Sequence, residues 1–309
     1  MIWHSSCSMV VRLSIYCTED TDMTDNILIS PSQLQRMTNS LPTVIIDTRS
    51  PAAYAEGHIP GAVNLHEIFT FLATSSKEGL EELRGKFADA FGAAGLSGEE
   101  VAVIYEDSMN TGFGQSCRGY FLLEFLGYPK AVILHGGYQA WLAEKLPTDT
   151  DVPIPESKTF SVVDEAASVM LTQEDMLAAL DSTDVVKLDV RDVDEWVGSS
   201  SSPYGIDFCP RKGRIPGAVW LEWYRMMKPG EEVPIFKSKE EIQAECSTVG
   251  INPDSTVYLY CFKGARASNT FVALKEAGVK DVRMYFGSWN EWSRDPALPI
   301  ESGHVTWAA

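Results

Sequence analysis

The segment "VIIDTRSPAAYAEGHIPGAVNL", Val44 to Leu65, occurs in a second version further along the chain. It reads as an apolar strand, a D-x-R motif, a short helix and a G-H-I-P-G-A turn. The second version is split into "VVKLDVRDVDEWVG", Val185–Gly198, and "KGRIPGAVWLEW", Lys212–Trp223, around an insertion of roughly Ser199 to Lys212. The matched positions are Asp47 and Asp189, Arg49 and Arg191, and Gly61 and Gly217. Such an internal repeat predicts two copies of one domain.

The repeat extends into the segments that follow. "VAVIYE", ending at Glu106, aligns with "TVYLYC", ending at Cys261, and both are short apolar strands of the kind buried in parallel sheets. Each strand leads to a helix that ends at a glycine, Gly127 or Gly278, as a C-terminal cap does. The alternation of strands and helices predicts α/β domains, each with a mostly parallel central sheet flanked by helices.

The same pattern sets the expected domain limits. We predict a first domain at residues 27–150 and a second at 151–309, joined through the Pro- and Asp-rich stretch "KLPTDTDVPIPESKTF". Residues 1–26 are expected to form a tail, disordered or upstream of a true start at Met23. A targeting segment is the alternative, although Arg12 is the only cation among the first 22 residues.

Composition excludes several classes of function. The formal net charge of −18 argues against a general nucleic-acid or anionic-membrane binder, because phosphate groups require clustered cations. No apolar run reaches the ~18 residues that a membrane-spanning helix needs. The six cysteines form no C-x-x-C pair, which argues against a zinc knuckle or a redox dithiol and favours a reducing compartment, the cytoplasm. Because two domains of one chain can cover each other, we expect a monomer.

The two copies differ where the chemistry is expected. In "VYLYCFKGARASNTF", residues 257–271, Cys261 ends a strand, whereas the first copy has Glu106 at that place. Ligands of α/β sheets bind beyond the carboxyl ends of the strands. The backbone N–H groups of the loop and the dipole of the next helix favour a thiolate there. We therefore predict one working site at Cys261 and a supporting, non-catalytic first domain.

The neighbours of Cys261 fit a nucleophile that acts on an anion. Gly264 lets the backbone turn, and Ser268 is expected to accept hydrogen bonds from the first helical turn. Lys263 and Arg266 supply positive charge in an otherwise acidic protein.

Other notable residues are interpreted as structural. The D-x-R pairs are expected to tie down neighbouring loops, and His58 is expected to be a satisfied turn residue, since the second copy has Arg214 there. Cysteines outside the strand-end loop are expected to be small core residues. The remaining candidates for the core are Cys117, Cys209 and Cys246, and those for the core or a pocket wall are Trp141, Trp289 and Trp292.

The paired D-x-R and G-[HR]-I-P-G-A segments, the loop "CFKGAR" and the closing motifs "GGYQAW" and "GSWNEW" resemble the tandem-domain rhodanese sulfurtransferases, over roughly Ile27 to Glu301. The resemblance implies an inactive first and a catalytic second rhodanese-like domain, with a persulfide on Cys261. Lys263 matches the lysine of members that use thiosulfate. No metal or organic cofactor is implied. The implied substrate-binding residues of the loop are Phe262, Lys263, Gly264, Ala265, Arg266 and Ala267.

The implied reaction moves a sulfane sulfur from thiosulfate, a small anionic donor, to cyanide or a thiol such as glutathione or thioredoxin. Animal-type members carry an arginine where this chain has Glu195. Arg191 and Arg214 are kept as substrate-binding candidates, and Arg211, Lys212 and Arg214 either replace the missing charge or are solvated. Phe262 is expected to form a lid over the thiol.

Three alternatives remain open on sequence grounds. The donor could be 3-mercaptopyruvate, against which Lys263 argues. The chain could be a carrier that receives persulfide from a protein partner. A cysteine phosphatase would need C-x5-R, whereas Arg266 follows Cys261 after only four residues.

Overall fold

A computed structural model describes residues 26–163 and 169–302. The predicted tail lies outside the described residues except for Asn26, and so do Cys7, Cys17 and the proposed start at Met23. Within the described ranges, no helix combines the length and the apolar character required to cross a membrane.

The first half of the chain builds a five-stranded sheet in the order β1-β5-β4-β2-β3, in which every pairing is parallel. Its strands are β1 Leu28–Ile29, β2 Thr43–Asp47, β3 Val63–Asn64, β4 Val101–Tyr105 and β5 Ala131–Leu134. Its helices are α1 Pro31–Ser40, α2 Pro51–Glu56, α3 Glu67–Thr70, α4 Lys77–Ala93, α5 Gln115–Phe125 and α6 Gly137–Ala143.

The second half repeats this arrangement in a sheet of order β6-β12-β11-β7-β8, again with parallel pairings. Its strands are β6 Met170–Leu171, β7 Val185–Asp189, β8 Val219–Trp220, β11 Thr256–Tyr260 and β12 Asp281–Tyr285; β9 Met227–Lys228 and β10 Ile235–Phe236 form a separate antiparallel pair. Its helices are α7 Gln173–Ala178, α8 Val193–Trp196, α9 Lys239–Ser247, α10 Ala265–Glu276 and α11 Ser288–Trp292, with a 3-10 helix at Trp223–Met226. The predicted fold class, two α/β domains with mostly parallel sheets, is confirmed.

The D-x-R motifs brace the carboxyl edge of each sheet. Arg191 Nη2 lies 2.6 Å from Asp189 Oδ2 and donates to the carbonyl oxygen of Gly213 at 2.8 Å. Tyr260 closes the group by donating its hydroxyl to Asp189 Oδ2 at 2.7 Å. The first domain makes the same contacts from Arg49 to Asp47 and Gly57. Each arginine is thus paired with its aspartate and bound to a neighbouring loop, as predicted.

The other residues interpreted as structural are also satisfied in the fold. His58 Nδ1 lies 2.9 Å from the carbonyl oxygen of Tyr54, and the two rings stack with centroids 3.9 Å apart. Burial raises the pKa of Cys209 and of Cys246 to about 11, so both thiols are protonated at neutral pH. The remaining members of this group, all buried, are Cys117, Trp141, Trp289 and Trp292.

The two domains meet along α5 and α10. The ring of Phe121 on α5 contacts Phe271 on α10, with centroids 5.1 Å apart. An added Cβ at Gly114, just before α5, would lie 2.5 Å from the carbonyl oxygen of Ala265, so the loop before α5 abuts the start of α10. Lys275 and Glu124 add an ion pair of 2.5 Å. The loop that carries Cys261 therefore lies at the domain interface.

Candidate active site

Cys261 directly follows β11, at the carboxyl edge of the second sheet. Its side chain is almost completely buried, and its Sγ accepts a hydrogen bond from the backbone N–H of Gly264 at 3.2 Å. Its own backbone N–H donates to Ser288 Oγ at 3.2 Å. The sulfur thus sits inside a tight turn and accepts one backbone N–H, a contact that favours an anionic sulfur.

Gly264 makes this turn sterically feasible. Its φ of +89° lies in the left-handed region, and an added Cβ would approach the ring of Phe286 to 3.1 Å. Gly264 is the N-cap of α10. The N–H groups of Ala265, Arg266 and Ala267 therefore have no acceptor within the helix, and the positive end of the helix dipole lies at the loop that carries the sulfur. The prediction for Ser268 is wrong: its hydroxyl donates to the carbonyl oxygen of Gly264 at 2.7 Å instead of capping amides.

Lys263 presents its ammonium group to aromatic rings. Nζ lies 4.0 Å from the ring centroid of Phe69, in the first domain, and 5.6 Å from that of Tyr204. Burial, together with the nearby Arg118, lowers the pKa of Lys263 to about 8. No carboxylate of the described residues pairs with it, so its charge is available to an anionic ligand at neutral pH.

Arg266 is engaged differently. Its Nη1 lies 2.6 Å from Glu195 Oε2 and 3.0 Å from Asp192 Oδ1, and its Nη2 donates to Glu195 Oε1 at 3.1 Å. Burial alone would lower the pKa of Arg266, but the two carboxylates raise it, so the guanidinium stays charged. Its charge is therefore compensated within the protein. Glu195, which stands where animal-type members carry an arginine, is the main partner of the Arg266 guanidinium.

A cavity of about 430 Å³ opens over the thiol. Phe262 forms part of its wall; the ring is buried and lies 5.0 Å from the ring of the exposed Tyr204. Tyr204 thus covers Phe262, and the geometry does not support Phe262 as a lid. The lining residues are Phe69, Thr111, Phe113 and Gln115 from the first domain, Pro203 and Tyr204 from the insertion, and Asp192, Cys261, Phe262, Lys263, Ala265 and Arg266.

The remaining predicted cations do not line this cavity. Arg191 is bound to Asp189 as described above, and Arg214 pairs with Glu301 and lies over the ring of Trp196. Of the insertion residues, Arg211 donates to carbonyl oxygens at the end of α11, including that of Trp292 at 2.7 Å, and Lys212 Nζ donates to that of Ser199 at 2.7 Å. The substrate-binding roles predicted for Arg191 and Arg214 have no support in this geometry, and neither Arg211 nor Lys212 replaces the missing charge.

Sequence reasoning missed one cation, Arg118 on α5. Its guanidinium is completely buried, Nη1 donates to the carbonyl oxygen of Lys263, and Nη2 donates to that of Phe71 at 2.5 Å. The signal was present in "QSCRGYFLLEF", where the one arginine lies between small and aromatic residues, so that a buried position would require hydrogen-bond partners for it.

The first domain has a carboxyl group at the place of the Cys261 thiol. Glu106 Oε2 accepts the backbone N–H of Gln115 at 2.8 Å, and Ser116 donates its hydroxyl to Oε1 at 3.0 Å. The Glu106 carboxyl group thus occupies the start of α5 at the position that the Cys261 side chain has at the start of α10 in the second domain. Burial raises the pKa of Glu106 to about 8.

Both domains match the sequence model of one known family. The sequence model of the rhodanese-like domain matches the chain twice, at residues 30–144 and 172–295. This chain belongs to the rhodanese family.

Curated relatives match most of the chain. The thiosulfate sulfurtransferase of Azotobacter vinelandii is 31% identical over 277 residues, which covers 89% of this chain and 97% of that protein. A putative thiosulfate sulfurtransferase, SseA, of Mycobacterium bovis is 32% identical over 81% of this chain and 82% of its own length. The sulfur carrier protein TtuD of Thermus thermophilus is 28% identical over 81% of this chain and 87% of that protein.

Solved structures agree with the fold. The anaerobic ergothioneine biosynthesis enzyme of Chlorobium limicola, in complex with trimethyl histidine, superposes with a TM-score of 0.77 at 22% identity, covering 90% of this chain and 71% of that one. At this identity the likeness concerns the architecture alone.

Proposed function

We propose that this rhodanese-family protein transfers a sulfane sulfur from thiosulfate to a thiophilic acceptor through a persulfide on Cys261. The observation that carries the proposal is a buried thiol that accepts the Gly264 N–H, with a lysine two residues later that no carboxylate of the described residues pairs with. The names of the curated relatives, thiosulfate sulfurtransferase in two cases, support a sulfurtransferase, and Lys263 favours thiosulfate among the donors.

In the first half-reaction the Cys261 thiolate attacks the outer sulfur of thiosulfate. The sulfur–sulfur bond of thiosulfate breaks, sulfite leaves with the bonding electron pair, and the enzyme keeps a persulfide anion, so the total charge is conserved. Lys263 binds the sulfonate end of the donor. The Gly264 N–H and the first turn of α10 stabilise the terminal negative charge, the role of an oxyanion hole in acyl transfer.

In the second half-reaction the acceptor attacks the outer sulfur of the persulfide. Cyanide leaves as thiocyanate and regenerates the Cys261 thiolate, whereas a thiol acceptor leaves as a persulfide. The cavity of about 430 Å³ falls within the range for organic ligands. It is therefore large enough for a thiol acceptor as well as for thiosulfate or cyanide.

The donor is tested by thiocyanate formation from thiosulfate and from 3-mercaptopyruvate, with Cys261→Ser as the blank. We expect thiosulfate to turn over faster, and Lys263→Ser to slow the thiosulfate reaction more than the mercaptopyruvate reaction. Lys212→Ser is the matched control, because that ammonium binds Ser199 outside the cavity. Faster turnover of mercaptopyruvate would contradict the proposal.

A carrier that receives persulfide from a protein is the second candidate, favoured by the likeness to a protein named as a sulfur carrier. It uses the same thiol, but free thiosulfate would load Cys261 poorly while a persulfidated protein partner would load it well. A monomer in the cytoplasm remains a prediction.

A further inference from the structure

The peptide group between Lys263 and Gly264 is contacted at both ends. Its N–H donates to Cys261 Sγ at 3.2 Å, and its carbonyl oxygen accepts a hydrogen bond from Arg118 Nη1. A peptide group is planar and trans, so its N–H and C=O point in opposite directions along one unit. Holding the oxygen on one side therefore fixes the direction of the N–H on the other.

Arg118 is itself held rigidly. Its second amino group, Nη2, donates to the carbonyl oxygen of Phe71 at 2.5 Å, and the guanidinium lies 4.3 Å from the ring centroid of Phe286. The side chain is completely buried between α5 and the loop of the second domain. The planar fork of an arginine suits two fixed carbonyl oxygens, a geometry that an ammonium group reproduces poorly.

The charge of Arg118 is also uncompensated. Arg266 is neutralised by Glu195 and Asp192, but no carboxylate of the described residues pairs with Arg118, and its Nε is buried without a hydrogen-bond partner there. Burial lowers the pKa of Arg118 to about 10, so the guanidinium remains charged when Lys263 has begun to lose its proton. A buried charge acts strongly on its neighbours because little water screens it.

We infer that Arg118, in the domain without a catalytic cysteine, is a positioning residue for Cys261: it orients and polarises the Lys263–Gly264 peptide so that the N–H stabilises the anionic sulfur. A hydrogen bond to the carbonyl strengthens the bond that the N–H of the same peptide donates. The inactive domain therefore contributes to the reactivity of the thiol without contacting the substrate through this residue. The inference rests on Cys261 being the nucleophile of the proposed function.

The test is the pH profile of Cys261 alkylation by iodoacetamide, followed by peptide mass mapping, which requires no sulfur donor. We expect Arg118→Met to move the profile to higher pH by about one unit and to slow alkylation at neutral pH about tenfold. Lys275→Met is the matched control, since it breaks the ion pair to Glu124 across the same helices but lies away from the loop. Its profile should match the wild type.

If Arg118→Met does not fold, Arg118→Lys carries the test. The ammonium keeps the charge but cannot bind both carbonyl oxygens in the same way. We therefore expect the alkylation profile to shift less than in Arg118→Met, with a rate about threefold lower than that of the wild type at neutral pH. A profile of the folded variant identical to that of Lys275→Met would overturn the inference. Failure of thiosulfate to load the wild type would overturn the proposed function instead, and leave the alkylation result standing.

Discussion

Glu195 and Arg266 form a two-pronged ion pair beside the loop that carries Cys261, with nitrogen–oxygen distances of 2.6 and 3.1 Å. The carboxylate lies on α8, and the guanidinium projects from the first turn of α10. The pair anchors the end of the loop that begins at Cys261. In the proposed function, the charge of the donor is therefore bound by Lys263 and by the backbone N–H groups.

Breaking this pair should destabilise the protein. We expect Glu195→Ala to lower the free energy of unfolding by about 3–5 kcal/mol, because it leaves a buried guanidinium without its main partner. Urea unfolding followed by fluorescence measures the change. Asp194→Ala, which removes an exposed carboxylate from the same short helix, is the control and should have little effect. Equal stabilities of the two variants would show that the pair contributes nothing to folding.

The affinity for the donor should depend on pH through Lys263. Its pKa of about 8 means that the ammonium is charged below that pH and neutral above it, so the KM for thiosulfate should rise as pH increases through 8. Lys263→Met should give a high KM that no longer varies over this range. Steady-state thiocyanate formation between neutral pH and about pH 9 tests both statements. A variant that kept the wild-type rise in KM would assign the titration to another group.

The buried carboxyl group of Glu106 should make stability depend on pH. Its pKa is raised to about 8 from an ordinary 4.5, so the native state holds this proton more tightly than the unfolded state does. The stability that the protonated form contributes is fully present below pH 4.5 and is lost as pH rises through 8. Glu106→Gln, a neutral isostere, should flatten this part of the melting-temperature profile. Parallel profiles of the two proteins would contradict the assignment.

Tyr204 should control the access of bulky reagents to the thiol. Its ring lies over Phe262 and beside Lys263, at the wall of the cavity. We expect Tyr204→Ala to speed the reaction of Cys261 with a bulky aromatic disulfide several-fold more than its reaction with iodoacetamide. Ile206→Ala changes an exposed residue of the same insertion that does not line the cavity, and it should alter neither rate. A uniform effect on both reagents would show that Tyr204 acts on the loop and not on access.

The sequence was informative where local pattern determines structure. The repeat shows that Cys261 ends a strand at the position equivalent to Glu106 of the first copy. The glycine at 264 likewise indicates the tight turn in which the structure gives it a positive φ. Contacts between distant segments were not predictable. Glu195 and Arg266 are 71 residues apart, and Arg118 reaches Lys263 from 145 residues away. Their charges gain partners only when distant segments pack together, so the sequence alone did not show which cations line the cavity.

The most direct test of the account is the intact mass of the protein after incubation with thiosulfate and removal of excess donor. We predict a gain of one sulfur atom on the wild type, discharged by cyanide, and no gain for Cys261→Ala, whereas Cys209→Ala should behave as the wild type. A wild type that gains no sulfur, or a gain that persists in Cys261→Ala, would contradict the assignment of Cys261 as the persulfide carrier.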